Sequence, residues 1–170
     1  MYNGNITLIG MPAAGKSTIG VLLAKTLGLE FSDIDLVIQK SEGRKLFEII
    51  EQDGIDGFIE LEQRAILGQT YENSVISTGG SAVYGDLAIE YLKGISRIVY
   101  LRLSFETVEK RLKNIKTRGI AIKNGQSLRE LYEERLGLYE KHAEITVDCE
   151  NKDSEAIVKK IAILLDAPLP

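Results

Sequence analysis

Cysteine, histidine and proline are scarce in this chain of 170 residues, which holds one cysteine, one histidine and three prolines. A lone Cys149 has no partner for an intramolecular disulfide, and with His142 also alone there is no Cys/His cluster to hold zinc. Both facts fit a reducing compartment. Cys149 reads as a small apolar residue at a strand end, and His142, on a charged helical stretch, as an ordinary surface histidine. No proline-rich linker, internal repeat or low-complexity tract divides the sequence, so a single domain over 1–170 is expected. Basic excess is missing too. Against 21 Lys+Arg stand 25 Asp+Glu, a formal charge of −4, which argues against nucleic-acid and membrane-surface partners. No apolar run approaches the ~20 residues that span a bilayer, and Met1-Tyr2-Asn3-Gly4 has no basic or apolar leader character. A cytoplasmic location is expected, with the chain a monomer or a weak dimer.

What is present is concentrated near the start. Asn5-Ile6-Thr7-Leu8-Ile9 has the apolar, β-branched composition of a buried parallel strand, and it runs into Gly10-Met11-Pro12-Ala13-Ala14-Gly15-Lys16-Ser17-Thr18. This matches GxxxxGK[ST], the loop that cradles nucleoside triphosphate phosphates. The glycines let backbone N–H groups turn inward on an anion, Lys16 reaches the β and γ phosphates, and Ser17 offers a hydroxyl to Mg²⁺. Downstream, Ile19, Leu22, Leu23, Ala24 and Leu27 fall near helical spacing before Gly28, so the loop lies between strand and helix. The helix N-terminus adds its partial positive charge there. Gly10, Ala13, Ala14, Gly15, Lys16, Ser17 and Thr18 are therefore the candidate triphosphate-binding residues.

Strand-like runs recur at 6–9, 30–32, 74–77, 97–101 and 145–147. Helical patterns cover 16–27, 36–41, 45–53, 55–69, 86–93, 105–114, 127–141 and 154–166. Such alternation predicts an α/β fold, a parallel sheet with helices on both faces. Two stretches depart from it. Residues 35–69 form a helical excursion longer than a crossover requires, and 114–126 is basic with two glycines and no sustained helical period. The first suits a substrate-binding region; the second suits either a disordered loop or a basic lid that excludes water.

Asp33 and Asp35 follow the second strand at the carboxyl edge of the sheet, where ligands bind in such folds. Asp33 is the candidate for holding a metal-bound water, and Asp35 for accepting a hydrogen bond from the hydroxyl to be phosphorylated; one of the two also suits a helix cap. After the third strand, Thr78-Gly79-Gly80-Ser81 permits close approach of backbone to ligand, or is a simple tight turn.

The chain resembles the shikimate kinases, small P-loop kinases that move the γ-phosphoryl of ATP to a ring hydroxyl. The resemblance runs nearly end to end. It rests on the 10–18 loop, Phe31-Ser32-Asp33-Ile34-Asp35, Phe58 with Glu62, Thr78-Gly79-Gly80 and Glu134-Arg135-Leu136-Gly137-Leu138-Tyr139. It implies a three-layer α/β/α fold with a five-stranded parallel sheet in order 2-3-1-4-5, plus a helical substrate-binding region and a lid. It also implies ATP and Mg²⁺, with Lys16, Asp35 and Arg118 as catalytic residues, Arg118 in the lid. Ser17 and Asp33 would hold the metal, Arg111 would pack on adenine, and Arg135 would bind the acceptor's carboxylate, with Gly79 and Gly80 beside it.

The acceptor half departs from the family pattern. The family's Phe-Arg-x-x-Glu is here Phe58-Ile59-Glu60-Leu61-Glu62, so Ile59 stands where a second carboxylate-binding arginine is expected. A charge-assisted hydrogen bond contributes about 1.5–3 kcal/mol, so its loss predicts acceptor binding weaker by about one to two powers of ten. Arg64 points away from the Ile59 face, five positions along a helix. Ser81 replaces a third glycine, Gly119-Ile120 replaces Pro-Leu in the lid, and Gly137 replaces a proline. Glu62 would then be an unpaired carboxylate facing the pocket, able to hold an ammonium group. Phosphorylation of shikimate to shikimate 3-phosphate is the first expectation; alternatives are another hydroxy acid or an amino acid such as homoserine, or a non-catalytic nucleotide-binding homologue. A nucleoside or gluconate kinase shares the loop but not the spacing around Thr78 and Arg135.

Overall fold

A computed structural model describes residues 2–113, 120–123 and 125–167. Five parallel strands form one sheet: β1 (Asn5–Ile9), β2 (Glu30–Asp33), β3 (Ser74–Ser77), β4 (Ser96–Arg102) and β5 (Ile145–Asp148). Their order is β2-β3-β1-β4-β5, as the resemblance implied. All five residues of β1 are buried, as a central parallel strand requires. Its two polar side chains are satisfied internally: Thr7 Oγ1 and Ser96 Oγ lie 2.7 Å apart, and Asn5 accepts from Ser74 N and donates to the Tyr71 and Ile95 carbonyls.

The helices are α1 (Lys16–Leu27), α2 (Ile34–Glu42), α3 (Leu46–Leu67), α4 (Asp86–Ile95), α5 (Phe105–Lys113), α6 (Leu128–His142) and α7 (Ser154–Leu164), with a 3-10 turn at Ala82–Tyr84. On one face α1 packs on β1, β2, β3 and α7. On the other, α4 and α6 pack on β4, and α3 packs on α4. Among the described residues no helix is long and apolar enough to cross a membrane.

Two local features position the ligand-facing edge. Residues 45–53 and 55–69 read as two helices, and α3 does break between them: Gly54 takes φ 73° and ψ 178° inside an otherwise continuous run. That backbone conformation is essentially restricted to glycine. Ile49 before the kink and Phe58, Glu62 and Ile66 after it are buried. The second feature is register. Asp33 pairs with Ser77 and Leu8 with Ser77, so the residues that follow β1, β2 and β3 emerge side by side at one edge.

The structure corrects one expectation away from that edge. His142 is not a surface histidine: it ends α6 at 7% exposure, with Nδ1 lacking a hydrogen-bond partner among the described residues and burial holding its pKa below the usual imidazole value. Cys149 lies buried just past β5, and burial pushes its thiol up to about 11, which suits an inert apolar role.

Candidate active site

The phosphate loop is built as an anion cradle. Ala13 and Gly15 both take positive φ, 65° and 91°, which turns consecutive N–H groups toward one side. For alanine this conformation costs about 1–2 kcal/mol, a strain characteristic of ligand-binding loops. Gly15 is the N-cap of α1 and supplies no side-chain bond, so the first-turn N–H groups remain available to an anion. Lys16 is buried, with Nζ donating to the Gly10 and Met11 carbonyls at 2.8 and 3.0 Å. From α5, Arg111 Nη1 donates to the Ala13 carbonyl at 3.1 Å and braces the loop from outside.

Beside the loop stand the two aspartates. Asp33 caps α2 by accepting from Leu36 N at 3.4 Å, and Asp35 follows in that helix's first turn. Thr78 ties the next segment to β1, its Oγ1 donating to the Leu8 carbonyl at 3.0 Å. A Cβ at Gly79 would run into the Glu62 carboxylate and come within 3.1 Å of Asp35 Oδ1, so a larger residue there would displace those side chains. The Gly80 carbonyl accepts from the Tyr139 hydroxyl at 2.7 Å, and the Tyr139 ring stacks on Tyr100 at 5.1 Å.

Among the described residues Arg135 is the largest side chain buried to this degree, at 1% exposure. Its Nη2 donates to the Ala121 carbonyl at 2.7 Å, its Nε reaches Tyr84 Oη at 3.4 Å, and Nη1 lies against Gly80. No carboxylate comes within ion-pair distance of it among the described residues. A buried cation without an ion-pair contact is poorly compensated, and an anion brought to it would be held firmly.

Glu62 differs from its expected state. It is 1% exposed, and Oε2 accepts from Ser81 Oγ at 2.5 Å, so it is not an unpaired carboxylate facing the pocket. Among the described residues Oε1 has no hydrogen-bond partner. Burial pushes its pKa up to about 7; Asp35 adds to the rise, while Ser81, Arg135 and Lys16 oppose it. A carboxyl enclosed behind Gly79, whose ionised form burial disfavours, is a poor holder of an ammonium group.

One cavity of about 410 Å³ joins these parts. Ala13, Gly15, Lys16, Ser17 and Thr18 line its phosphate end, and Asp33, Asp35, Gly79, Gly80, Ser81 and Arg135 continue it. Gly10, Ala14 and Arg111 do not line the cavity, and Arg111 braces the loop through the Ala13 carbonyl. Ile59 is half-buried and does not line it, Arg64 is exposed and does not either, and Arg118 lies outside the described residues, as does most of 114–126. Several lining residues were not singled out from sequence, among them Gln39, Lys45, Leu46, Phe47 and Ala121. Tyr84 and Tyr139 were missed as braces for Arg135 and Gly80; Tyr139 stands inside a motif already quoted, but its partner lies 59 positions away.

Comparison with known proteins agrees with this geometry. The family model described as shikimate kinase matches residues 12–166. The shikimate kinase of Persephonella marina is 38% identical over 160 residues, covering 92% of this chain and 96% of that protein. Among solved structures, shikimate kinase from Acinetobacter baumannii in complex with shikimate superposes with a TM-score of 0.87 at 32% identity, over 96% of this chain and 93% of that one. Shikimate kinase from Aquifex aeolicus gives 0.81 at 35% identity, over 95% and 96%.

Proposed function

From the premise that this chain belongs to the shikimate kinase family, we propose that it transfers the γ-phosphoryl group of ATP to a hydroxyl of shikimate, giving shikimate 3-phosphate and ADP. The observation that carries this reading is the buried Arg135, without an acidic partner among the described residues, in one cavity with the phosphate loop and Asp35. The spacing suits a small hydroxylated carboxylate: anion grip at Arg135, hydroxyl at Asp35, phosphoryl donor on the loop.

Each role follows from chemistry. The loop's N–H groups and the start of α1 hold the triphosphate, and Lys16 leaves its carbonyl partners to neutralise the transferring oxygens. Ser17 and Asp33 offer two hard oxygens in the cavity lining, and they would hold a magnesium ion. Bound there, magnesium would supply positive charge against the β and γ phosphates. Asp35 orients the acceptor hydroxyl and takes its proton as the new oxygen–phosphorus bond forms and the bond to the β–γ bridging oxygen breaks. Gly79 and Gly80 let the ring approach the backbone.

Incubation with Mg-ATP and shikimate, followed by ³¹P NMR, tests the reading. A phosphomonoester signal growing in step with ADP is expected, and Lys16→Met should reduce the rate by about 10²-fold or more. ATP binding without any ester from shikimate would overturn it.

A further inference from the structure

The loss of an arginine at position 59 leaves Arg135 as the cation at the acceptor's carboxylate, yet the neighbouring wall holds a second device. Ser81 stands where the family pattern has glycine, lines the cavity, and is 2.5 Å from the buried carboxyl of Glu62. We infer that Ser81 and Glu62 form a proton-controlled hydrogen-bond donor that takes over from the absent arginine in gripping the acceptor's carboxylate.

An ionised carboxylate has no hydrogen, so the Ser81 hydroxyl must donate to it and presents only lone pairs to the cavity. A protonated Glu62 reverses the direction: its own O–H donates to Ser81 Oγ, and the Ser81 hydrogen is released toward the cavity beside Arg135. The O···O distance suits either direction. Glu62 Oε1, fully buried and without a hydrogen-bond partner among the described residues, disfavours the ionised form, since a bare carboxylate oxygen away from water is unfavourable. No cation forms an ion pair with Glu62 among the described residues.

The charged groups acting on Glu62 come from three elements. Asp35 of α2 opposes its ionisation, whereas Arg135 of α6 and Lys16 of α1 favour it; Tyr139 of α6, also facing it, stays neutral with its pKa raised by burial. The balance falls near neutrality. As pH rises through that range Glu62 ionises, recaptures the Ser81 hydrogen and withdraws a donor from the acceptor. Binding of an anionic acceptor favours the acid form, so binding takes up a proton.

This rests on the functional reading above, and its test separates the two. With Mg-ATP saturating, the wild-type KM for shikimate should rise about tenfold between pH 6.5 and 8.5, the loss of one such hydrogen bond. Glu62→Gln keeps an N–H to donate to Ser81, so its shikimate KM should stay low and flat across that range. Ser81→Ala should be high and flat. KM for ATP should show no matching rise in any of the three, which general damage to the fold would not produce. Calorimetry at pH 7.5 in two buffers of different ionisation enthalpy should find fractional proton uptake on shikimate binding to wild type and none for Glu62→Gln. A flat wild-type profile with ready turnover, or a Ser81→Ala profile that keeps the wild-type slope, overturns the inference alone; no turnover of shikimate at any pH overturns the functional reading and the inference together.

Discussion

At the scale of single residues, Glu62 makes a prediction about stability that is independent of catalysis. Its folded pKa, near 7, lies above its unfolded value of 4.5 because burial dominates. An acid raised in the folded state binds its proton there while the unfolded chain has already released it. The stability it contributes is therefore complete below about 4.5 and is lost as pH rises through about 7. The separation corresponds to roughly 3 kcal/mol. Glu62→Gln lacks this term. In urea unfolding, the stability difference between Glu62→Gln and wild type should shift in the variant's favour by roughly that amount from pH 4.5 to pH 8. Parallel pH profiles would mean that the carboxyl is solvated and ordinary. The contact behind this prediction was illegible in the sequence. Ser81 was visible as a departure from glycine and Glu62 as a carboxylate stripped of its arginine, but the two are 19 positions apart and meet only because α3 packs beside the segment after β3. His142 was misread for a related reason: the charges around it mark a surface helix, and only tertiary packing buries the last residue of α6.

At the scale of elements, local signals served well where one residue type dictates the backbone. The strand preceding the phosphate loop, the start of α1 and the break in α3 were readable because glycine at 15 and 54 sits where φ is positive. Element ends were less readable: the pattern placed the second helix at 36–41, whereas it spans Ile34–Glu42, since Asp33 at the end of β2 caps it directly and leaves no connecting loop. The kink also makes α3 a part with two duties. Leu46 and Phe47 before it line the cavity, and Phe58 after it does too, so both halves depend on the angle set at Gly54. Gly54→Ala forces a Cβ into a conformation that costs about 1–3 kcal/mol. The variant should unfold at lower urea by that amount, and its KM for shikimate should rise well beyond any change in KM for ATP, because the strain falls on the acceptor wall. An equal rise in both constants would place the kink outside the acceptor site's support.

At the scale of the whole molecule, the cavity spans parts that the sheet holds at one edge but that different connections supply. The phosphate loop follows central β1, whereas Arg135 arrives on α6, which packs against β4 and the turn after β3. Ligands that bind only the folded chain stabilise it in proportion to their saturation, about 2.7 kcal/mol at a hundredfold excess over Kd. For a chain of this size such a gain raises the melting temperature by about 5–10 °C. Mg-ADP and shikimate should each raise the melting temperature of the wild type. Arg135→Ala should abolish most of the shikimate shift and keep the Mg-ADP shift, because removing a buried cation strips the acceptor of its counter-charge while leaving the loop's N–H groups in place. Lys16→Met should do the reverse, losing most of the Mg-ADP shift and keeping the shikimate shift. The two variants thus probe one cavity from its two ends. Loss of both shifts in either variant would mean that the ends fold and bind as one inseparable unit, and the assignment of Lys16 to the phosphoryl donor and Arg135 to the acceptor would fail with it.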